Sequence, residues 1–98
     1  MSRTVIVRYT TSNEAAAENQ RRIEDVFAEL AATGPEGLQY TSLRLADGVT
    51  FVHVAQVEGD DNPLTRSAAF AAFQAGISQR CVEQPVLTEA TVVGSYHG

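Results

Sequence analysis

The chain has 98 residues, enough for one domain, since domains typically have about 100 to 150 residues and two would not fit. An apolar fraction of 44% and a charged fraction of 19% are those of a globular protein, and a net charge of −5 without a basic run argues against nucleic acid and anionic membranes as partners. All seven basic residues are arginines, which excludes Schiff-base chemistry and a P-loop, because both need a lysine.

The first predicted element is a β-strand over residues 4–10, "TVIVRYT", which is β-branched and aromatic and contains no turn residue. A helix is predicted to follow it. Thr11 and Glu14 have the spacing of a capping box, and Ser12 and Asn13 are alternative caps.

The body of this helix is predicted to run to about residue 32. Its apolar residues recur at helical spacing, at Ile23, Val26, Phe27 and Leu30. Gly34 and Pro35 are typical of a helix end.

Two strands, 38–45 and 49–57, flank Asp47 and Gly48. This dipeptide is a strong signal for a two-residue type I′ hairpin, in which both central residues have positive φ. The two strands are therefore predicted to pair antiparallel.

A second helix is predicted after the loop "EGDDNPL", with Asp61 or Asn62 as its cap and Pro63 at its first position. It runs to about Arg80, with apolar residues at helical spacing, Phe70, Phe73 and Ile77. The stretch "CVEQP" is the predicted exit from this helix, and residues 86–96, "VLTEATVVGSY", are predicted to form the last strand.

The predicted order βαββαβ indicates an α+β, ferredoxin-like fold. Two right-handed crossovers within one antiparallel sheet give the strand order 4-1-3-2, with both helices on one face.

The hairpin register divides its residues into two faces, because directly opposed residues share a face. One set is aliphatic apart from a threonine, and we assign it to the core beneath the helices: Thr41, Leu43, Leu45, Val52 and Val54. The other set is then expected on the face without helices: Tyr40, Ser42, Arg44, Phe51 and His53.

A homodimer is predicted from this assignment. If the second face were solvated, it would expose an apolar patch of Val49, Phe51, Ala55 and Val57, which a monomer rarely does. A second copy of the sheet is the simplest cover.

A cavity on the open face is also predicted. With Val5, Val7 and Tyr9 facing the core, Arg8 would join the open face, and Glu89 and Thr91 could join it. These groups predict a mixed polar and aromatic cavity for a small molecule.

At this stage a resemblance becomes visible. The βαββαβ pattern, the stretches "DGVTFVHVAQVEGDDNPL" and "AFAAFQAGISQRC", and the ending "VVGSY" resemble the dimeric α/β barrel superfamily, nearest to the antibiotic biosynthesis monooxygenase-like proteins. The likeness covers nearly the whole chain. It implies a homodimer whose two sheets close a barrel, and functions that range from cofactor-independent oxygenation of quinols and aromatic polyketides to haem degradation.

The haem-degrading branch of the superfamily uses an asparagine on the first strand, a tryptophan and a helical histidine. This chain has no tryptophan, no asparagine in "TVIVRYT" and no histidine in either predicted helix. We therefore expect no haem and no other cofactor.

His53 is the candidate general base, since an ordinary histidine pKa near 6.5 suits proton abstraction from a phenol or hydroquinone. The alternative is a buried histidine that is hydrogen-bonded to Ser42 across the hairpin or lies at the dimer seam. Arg8 and Arg44 are candidate catalytic residues that would stabilise a substrate anion, or else they pair with acids such as Glu89.

The candidate substrate-binding residues are Tyr40, Ser42, Phe51 and Thr91. For the two aromatic residues, packing at the interface is the alternative to stacking on a substrate ring.

Two histidines without spaced acids do not suggest a metal site. Cys81 is predicted to be a buried structural thiol, and His97 to lie in a frayed tail.

Two functions follow as hypotheses. The first is a cofactor-independent monooxygenase-like enzyme acting on a small aromatic or quinol substrate. The second is a non-catalytic homodimeric module that binds a small ligand or serves in assembly. A cytoplasmic location is expected, since one cysteine forms no internal disulfide and the N-terminus lacks a secretory signal.

Overall fold

The structure is a computed structural model that describes residues 2–98. Four strands form one antiparallel sheet in the order β2-β3-β1-β4, which confirms the predicted 4-1-3-2 order and the ferredoxin-like fold. The strands are β1 (Ser2–Thr11), β2 (Leu38–Arg44), β3 (Thr50–Glu58) and β4 (Cys81–Ala90). The helices are α1 (Ala16–Thr33), α2 (Ala68–Ala75) and α3 (Ile77–Arg80), and a 3₁₀ helix (Pro63–Arg66) precedes α2.

The start of α1 differs from the predicted capping box. The Thr11 hydroxyl donates to the carbonyl of Val49 at 3.3 Å, so it ties β1 to the hairpin. The predicted alternatives do not cap the helix either: its N-cap is Ala15, without a side-chain capping bond, and the Ser12 hydroxyl accepts the N–H of Ala15 at 3.2 Å in the turn before α1. The end at Gly34 is confirmed: its φ is 56°, and its N–H donates to Leu30 at 2.8 Å.

The hairpin register is confirmed, with Ser42 opposite His53 and Arg44 opposite Phe51. The predicted type I′ turn is wrong, because positive φ among residues 2–98 occurs only at glycines, here at Gly48 with 80°. The Asp47 carboxylate accepts the N–H groups of Val49 and Thr50 at 3.0 and 2.9 Å. A turn held by this side chain replaces the tighter hairpin.

The predicted second helix is broken into three pieces. Asn62 caps the 3₁₀ helix, since its side-chain oxygen accepts the N–H of Leu64 at 3.0 Å, with Pro63 next in the chain as predicted. Ser67 then caps α2 through the N–H of Phe70 at 2.9 Å. Gly76 separates α2 from α3. Each break is made by a residue that favours caps over helix interiors.

The predicted bounds of the last strand are wrong. β4 begins at Cys81 and ends at Ala90, opposite Thr4, and residues 91–98 lie outside the sheet. The strand includes Pro85, which lies in the stretch predicted as the exit from the second helix. Because β4 is an edge strand, the missing N–H of this proline is tolerated.

The predicted assignment of the two sheet faces is wrong. Phe51 is 1% exposed and His53 is 5% exposed, and the core that surrounds Phe51 contains Ile23 and Val26 of α1 and Phe73 of α2. The helices therefore cover the aromatic and polar set. The aliphatic set faces away, with Leu43 48% exposed.

The pairing of β1 with β3 shows why the predicted assignment of the two sheet faces is reversed in the structure. Val7 and His53 are directly opposite, and directly opposite residues share a face. Since Val7 was rightly expected to face the core, His53 must face it too. Because side chains alternate along a strand, placing one residue on the wrong face places every residue of that strand on the wrong face.

One carboxylate joins the two long helical segments. Glu29 of α1 accepts hydrogen bonds from the Ser67 hydroxyl and from the N–H groups of Ala69 and Ala68, at 3.0 and 3.3 Å for the latter two. The hydrogen bond from Ser67, and then those from the two N–H groups, lower the pKa of Glu29. A carboxylate at the first turn also suits the helix dipole.

We predict that Glu29→Gln lowers the melting temperature at neutral pH. Because the pKa of Glu29 is lower in the folded chain, its stabilisation is complete above the ordinary carboxyl pKa and is lost as the pH falls through the lowered value. The difference in Tm between wild type and variant should therefore shrink in acid. Glu24→Gln on the exposed side of α1 is the matched control, and an equal loss in both variants would contradict the prediction.

Candidate functional site

A cavity of about 670 Å³ lies between the sheet and the helical segment that follows β3. Its walls are mainly apolar, from Val5, Val7 and Leu87 on the strands and Leu64, Phe70, Phe73 and Ile77 on the helices. Tyr9, Tyr40 and His53 also line it. Arg3 and Glu89 line it as well, and both are largely exposed, with Arg3 Nε 3.8 Å from a carboxylate oxygen of Glu89.

His53 is hydrogen-bonded on both ring nitrogens. Nε2 lies 2.7 Å from the hydroxyl of Tyr9. Nδ1 lies 2.7 Å from the hydroxyl of Ser42 and 3.0 Å from that of Tyr40. The structure thus contains the hydrogen bond between Ser42 and His53 that was expected across the hairpin. Three hydroxyls from three strand positions therefore hold the ring in one orientation.

Aromatic rings surround the imidazole. The Tyr9 ring stacks on His53 with centroids 5.4 Å apart and on Phe51 at 5.6 Å. Phe73 meets the imidazole edge-on at 5.5 Å, and Tyr40 stacks beside it at 5.9 Å. Offset and edge-on contacts of this kind add to the energy of burial and leave little freedom of movement.

The electrostatics of the site keep its groups uncharged at neutral pH. Burial lowers the pKa of His53 to about 4, because the imidazolium would lose its hydration. Burial also raises the pKa of Tyr40 to about 12 and raises that of Tyr9 further. The site thus presents a neutral imidazole among protonated phenols.

The sequence analysis did not identify Asn19 and Arg80, which continue the hydrogen bonding from Tyr9. Asn19 of α1 is fully buried and donates from Nδ2 to the Tyr9 oxygen at 2.9 Å. Arg80 is 6% exposed and donates from Nε to the side-chain oxygen of Asn19 at 3.0 Å. A signal was present, since Asn19 continues the apolar stripe of Ile23 and Val26 at helical spacing.

The structure brings only part of the predicted site together. Tyr40, Ser42 and His53 converge, and Phe51 packs in the core beneath them. The guanidinium of Arg44 lies 5.6 Å from the Phe51 ring centroid but bonds to the Gly48 carbonyl at the exposed end of the hairpin and does not line the cavity.

Two other candidates, Arg8 and Thr91, lie outside the cavity. Arg8 is opposite Val52 on the sheet face that the helices leave open, away from His53. Thr91 follows the last strand and is exposed. Glu89 was expected on the open face, but it lies opposite Val5 and lines the cavity. Strand alternation separates Arg8 from its neighbours in sequence, because adjacent residues point to opposite faces.

Within residues 2–98, no cluster of three or more histidine, cysteine, aspartate or glutamate side chains is arranged to hold a metal ion. None of the helices described is long and apolar enough to cross a membrane. Cys81 is half-buried, and burial raises the pKa of its thiol, which keeps it a weak nucleophile.

Solved structures share this architecture over nearly the full chain. Rv0793 from Mycobacterium tuberculosis superposes with a TM-score of 0.77 at 15% identity, covering 99% of this chain and 100% of that one. A mutant of SnoaB, a cofactor-independent oxygenase from Streptomyces nogalater, gives 0.68 at 19% identity, covering 96% and 95%. An antibiotic biosynthesis monooxygenase gives 0.70 at 16%, covering 96% and 100%.

The chain has the antibiotic biosynthesis monooxygenase fold. The resemblance inferred from sequence is confirmed at the level of fold. No family model and no curated protein matches the chain by sequence. At identities this low the likeness concerns the arrangement of the backbone, and fold by itself does not establish a reaction.

We predict that the free energy of unfolding of this protein falls as the pH is lowered from about 6.5 to about 4. The cause is His53. In that window the unfolded chain binds a proton at this residue and the folded chain does not, so stability falls, and the loss levels off below about 4. At about 1.4 kcal/mol per pKa unit, the full loss is on the order of 3 kcal/mol.

Urea unfolding at a series of pH values measures how the free energy of unfolding depends on pH. His53→Gln should remove the contribution of His53 and leave that of carboxyls such as Glu29, whereas His97→Gln in the exposed C-terminal residues should retain both. A titration of the His53 ring by NMR with a midpoint near 6.5 would show the prediction to be wrong.

Proposed function

We propose that the protein is a cofactor-independent oxygenase that acts on a small aromatic or quinol substrate, with His53 as the proton acceptor. The observation that carries this proposal is a neutral imidazole set among phenolic hydroxyls in a mainly apolar cavity. A general base must be unprotonated at the working pH and within hydrogen-bond reach of the proton that it accepts.

The size and the aromatic lining of the cavity suit a small aromatic substrate. Small-molecule sites typically have volumes of about 300 to 1,000 Å³, and the cavity of about 670 Å³ lies in this range. The rings of Tyr40, Phe70 and Phe73 offer stacking surfaces, and the hydroxyls of Tyr9 and Tyr40 lie beside His53. A hydroxyl-bearing aromatic ring would therefore enter with its hydroxyl toward His53.

The chemistry that this site supports is removal of a proton from the substrate hydroxyl. The resulting electron-rich anion supplies the electrons that dioxygen accepts. A substrate anion beside His53 would raise the pKa of the imidazole, because opposite charges stabilise each other in a dry site. Tyr40 can donate a hydrogen bond to that anion. Arg8 and Arg44, which were expected to do so, lie outside the cavity.

The shared fold supports the proposal, since SnoaB is described as a cofactor-independent oxygenase. That activity belongs to SnoaB, at 19% identity, and its extension to this chain is our inference. The residues that line the cavity give the independent support.

We predict oxygen uptake when the protein is supplied with members of a panel of hydroquinones and polycyclic phenols. His53→Gln should lower kcat by about 10²- to 10⁴-fold, the usual contribution of a general base. His97→Gln, which alters the other histidine of the chain, should keep wild-type activity. Uptake is followed with an oxygen electrode, with anaerobic samples as blanks.

If no member of the panel is consumed by wild type, the oxygenase proposal fails. Saturable binding of the same compounds without oxygen uptake would favour the second hypothesis, a non-catalytic ligand-binding module. Fluorescence or calorimetric titration distinguishes these outcomes.

We also propose that the open sheet face is covered by a second copy of the chain. This face presents Leu43 and Val86, which are 48% and 64% exposed, beside the half-buried Ile6, Val52 and Val54. These aliphatic side chains form a patch across all four strands, on the side opposite the helices, and Arg8 lies within it between Val52 and Val86. The patch predicted from sequence had other members, since Phe51, Ala55 and Val57 are covered by the helices.

We predict a dimer, with twice the mass of one chain by light scattering at micromolar concentration. Val54→Arg should yield a monomer, because it places a charge between Ile6 and Thr41 at the centre of the patch. Ala28→Arg adds the same charge to an exposed position of α1 and should remain dimeric. A monomeric wild type would refute the proposal.

A further inference from the structure

A continuous chain of hydrogen bonds runs through the core from α3 to the cavity. Arg80 bonds to Asn19, Asn19 to Tyr9, and Tyr9 to His53, with distances of 3.0, 2.9 and 2.7 Å. All four side chains are buried. The four residues come from α3, α1, β1 and β3, so the chain of bonds exists only in the folded protein.

The direction of each bond follows from the chemistry of its donor. A guanidinium has donors only, so the Asn19 atom facing Arg80 is the carbonyl oxygen, and the amide N–H₂ must point to Tyr9. The Tyr9 oxygen accepts that bond. Its single hydrogen is then free to point to Nε2 of His53. The orientation of the asparagine amide is thereby decided by Arg80.

The far end of the chain of bonds decides where the imidazole carries its proton. If Nε2 accepts from Tyr9, the neutral ring carries its hydrogen on Nδ1. That nitrogen is 2.7 Å from the Ser42 hydroxyl and 3.0 Å from the Tyr40 hydroxyl, and either can accept. Each donor along the path then has an acceptor.

The environment of Arg80 indicates a role beyond packing. Among residues 2–98, none of the ion pairs includes Arg80. Its guanidinium instead donates to the Phe73 carbonyl at 2.7 Å and lies 5.3 Å from the centroid of that ring. A buried charge without an acid partner is costly. Gly76 makes room for it, since a Cβ there would lie 2.8 Å from a guanidinium nitrogen.

We propose that Asn19 and Arg80 are positioning residues that hold the Tyr9 hydroxyl as a donor to Nε2 of His53 and so fix the Nδ1-protonated tautomer of the imidazole. They act through Tyr9 and do not line the cavity. An arginine is suited to this part because it offers no acceptor, so the direction of the bonds cannot reverse at that end.

The consequence for catalysis rests on the proposed function. Tyr9 lines the cavity, so a substrate proton reaches His53 through its oxygen. The substrate O–H bond breaks as its proton bonds to the Tyr9 oxygen, and the Tyr9 O–H bond breaks as that proton bonds to Nε2. The products are a substrate anion and an imidazolium, and Tyr9 ends as a neutral phenol. Asn19 continues to donate to Tyr9 throughout.

The test is the tautomer of His53 in the protein without substrate. The background is His97→Gln, which leaves one histidine, and the ring is labelled with ¹⁵N so that the nitrogen that carries hydrogen is read from ¹⁵N–¹H correlations. We expect the Nδ1–H tautomer as the single form at neutral pH. An Nε2–H tautomer in this otherwise unaltered chain would overturn the proposal without any further substitution.

Asn19→Asp tests the cause. The carboxylate keeps the size of asparagine and the bond from Arg80 but cannot donate to Tyr9. The Tyr9 hydroxyl should turn to donate to it, which leaves the Tyr9 oxygen as acceptor for Nε2, so the ring should shift to the Nε2–H tautomer. Ser42→Ala is the matched control at the other nitrogen, and it should keep the Nδ1–H tautomer with Tyr40 as acceptor.

A folded Asn19→Asp protein that keeps the Nδ1–H tautomer would contradict the proposal. If that variant fails to fold, Arg80→Met takes its place. It frees the asparagine amide to turn, and a mixture of both tautomers is expected, whereas an unchanged single tautomer would count against the role of Arg80.

The oxygenase proposal is tested separately. In turnover, Asn19→Asp should lower kcat at least about tenfold with little change in KM, since it alters the proton path and not the cavity wall. If no substrate is found, the tautomer result stands on its own. If substrates turn over and the tautomer is Nε2–H, only the positioning proposal fails.

Discussion

The structure depends on burying a neutral imidazole in an aromatic core. An imidazole without partners would cost a few kcal/mol in such surroundings, because its polar nitrogens would lose water without replacement. Three hydroxyls, from Tyr9, Tyr40 and Ser42, provide that replacement for His53. With both nitrogens bonded, the face of the sheet that carries the histidine can lie beneath the helices.

The same constraint gives the cavity its chemistry. Burial keeps His53 uncharged, because it disfavours the imidazolium and no acid is hydrogen-bonded to the ring, and the same hydroxyls that satisfy the ring hold it in one orientation. Stability and reactivity thus share one set of hydrogen bonds. The polar path through Asn19 to Arg80 extends this set to the opposite side of the core, where a buried charge sets the direction of the bonds.

The two faces of the sheet therefore differ in the side chains that they carry and in their surroundings. The face under the helices holds the aromatic rings, the imidazole and the cavity. The other face keeps an aliphatic surface across four strands, which is the kind of surface that a second copy covers. Arg8 on that open face and His53 beneath the helices belong to different surfaces, although their strands are adjacent.

The sequence by itself determined the βαββαβ order, the hairpin register and the end of the first helix at Gly34, because these follow from local spacing and backbone preference. Only the tertiary structure decided which sheet face lies inside. In strand β3 each set of alternating residues mixes apolar and polar side chains, with His53 in the buried set and Val52 and Val54 in the other, and the hydroxyls that satisfy His53 come from distant positions. Asn19 and Arg80 join the site for the same reason, since 61 positions separate them in the chain.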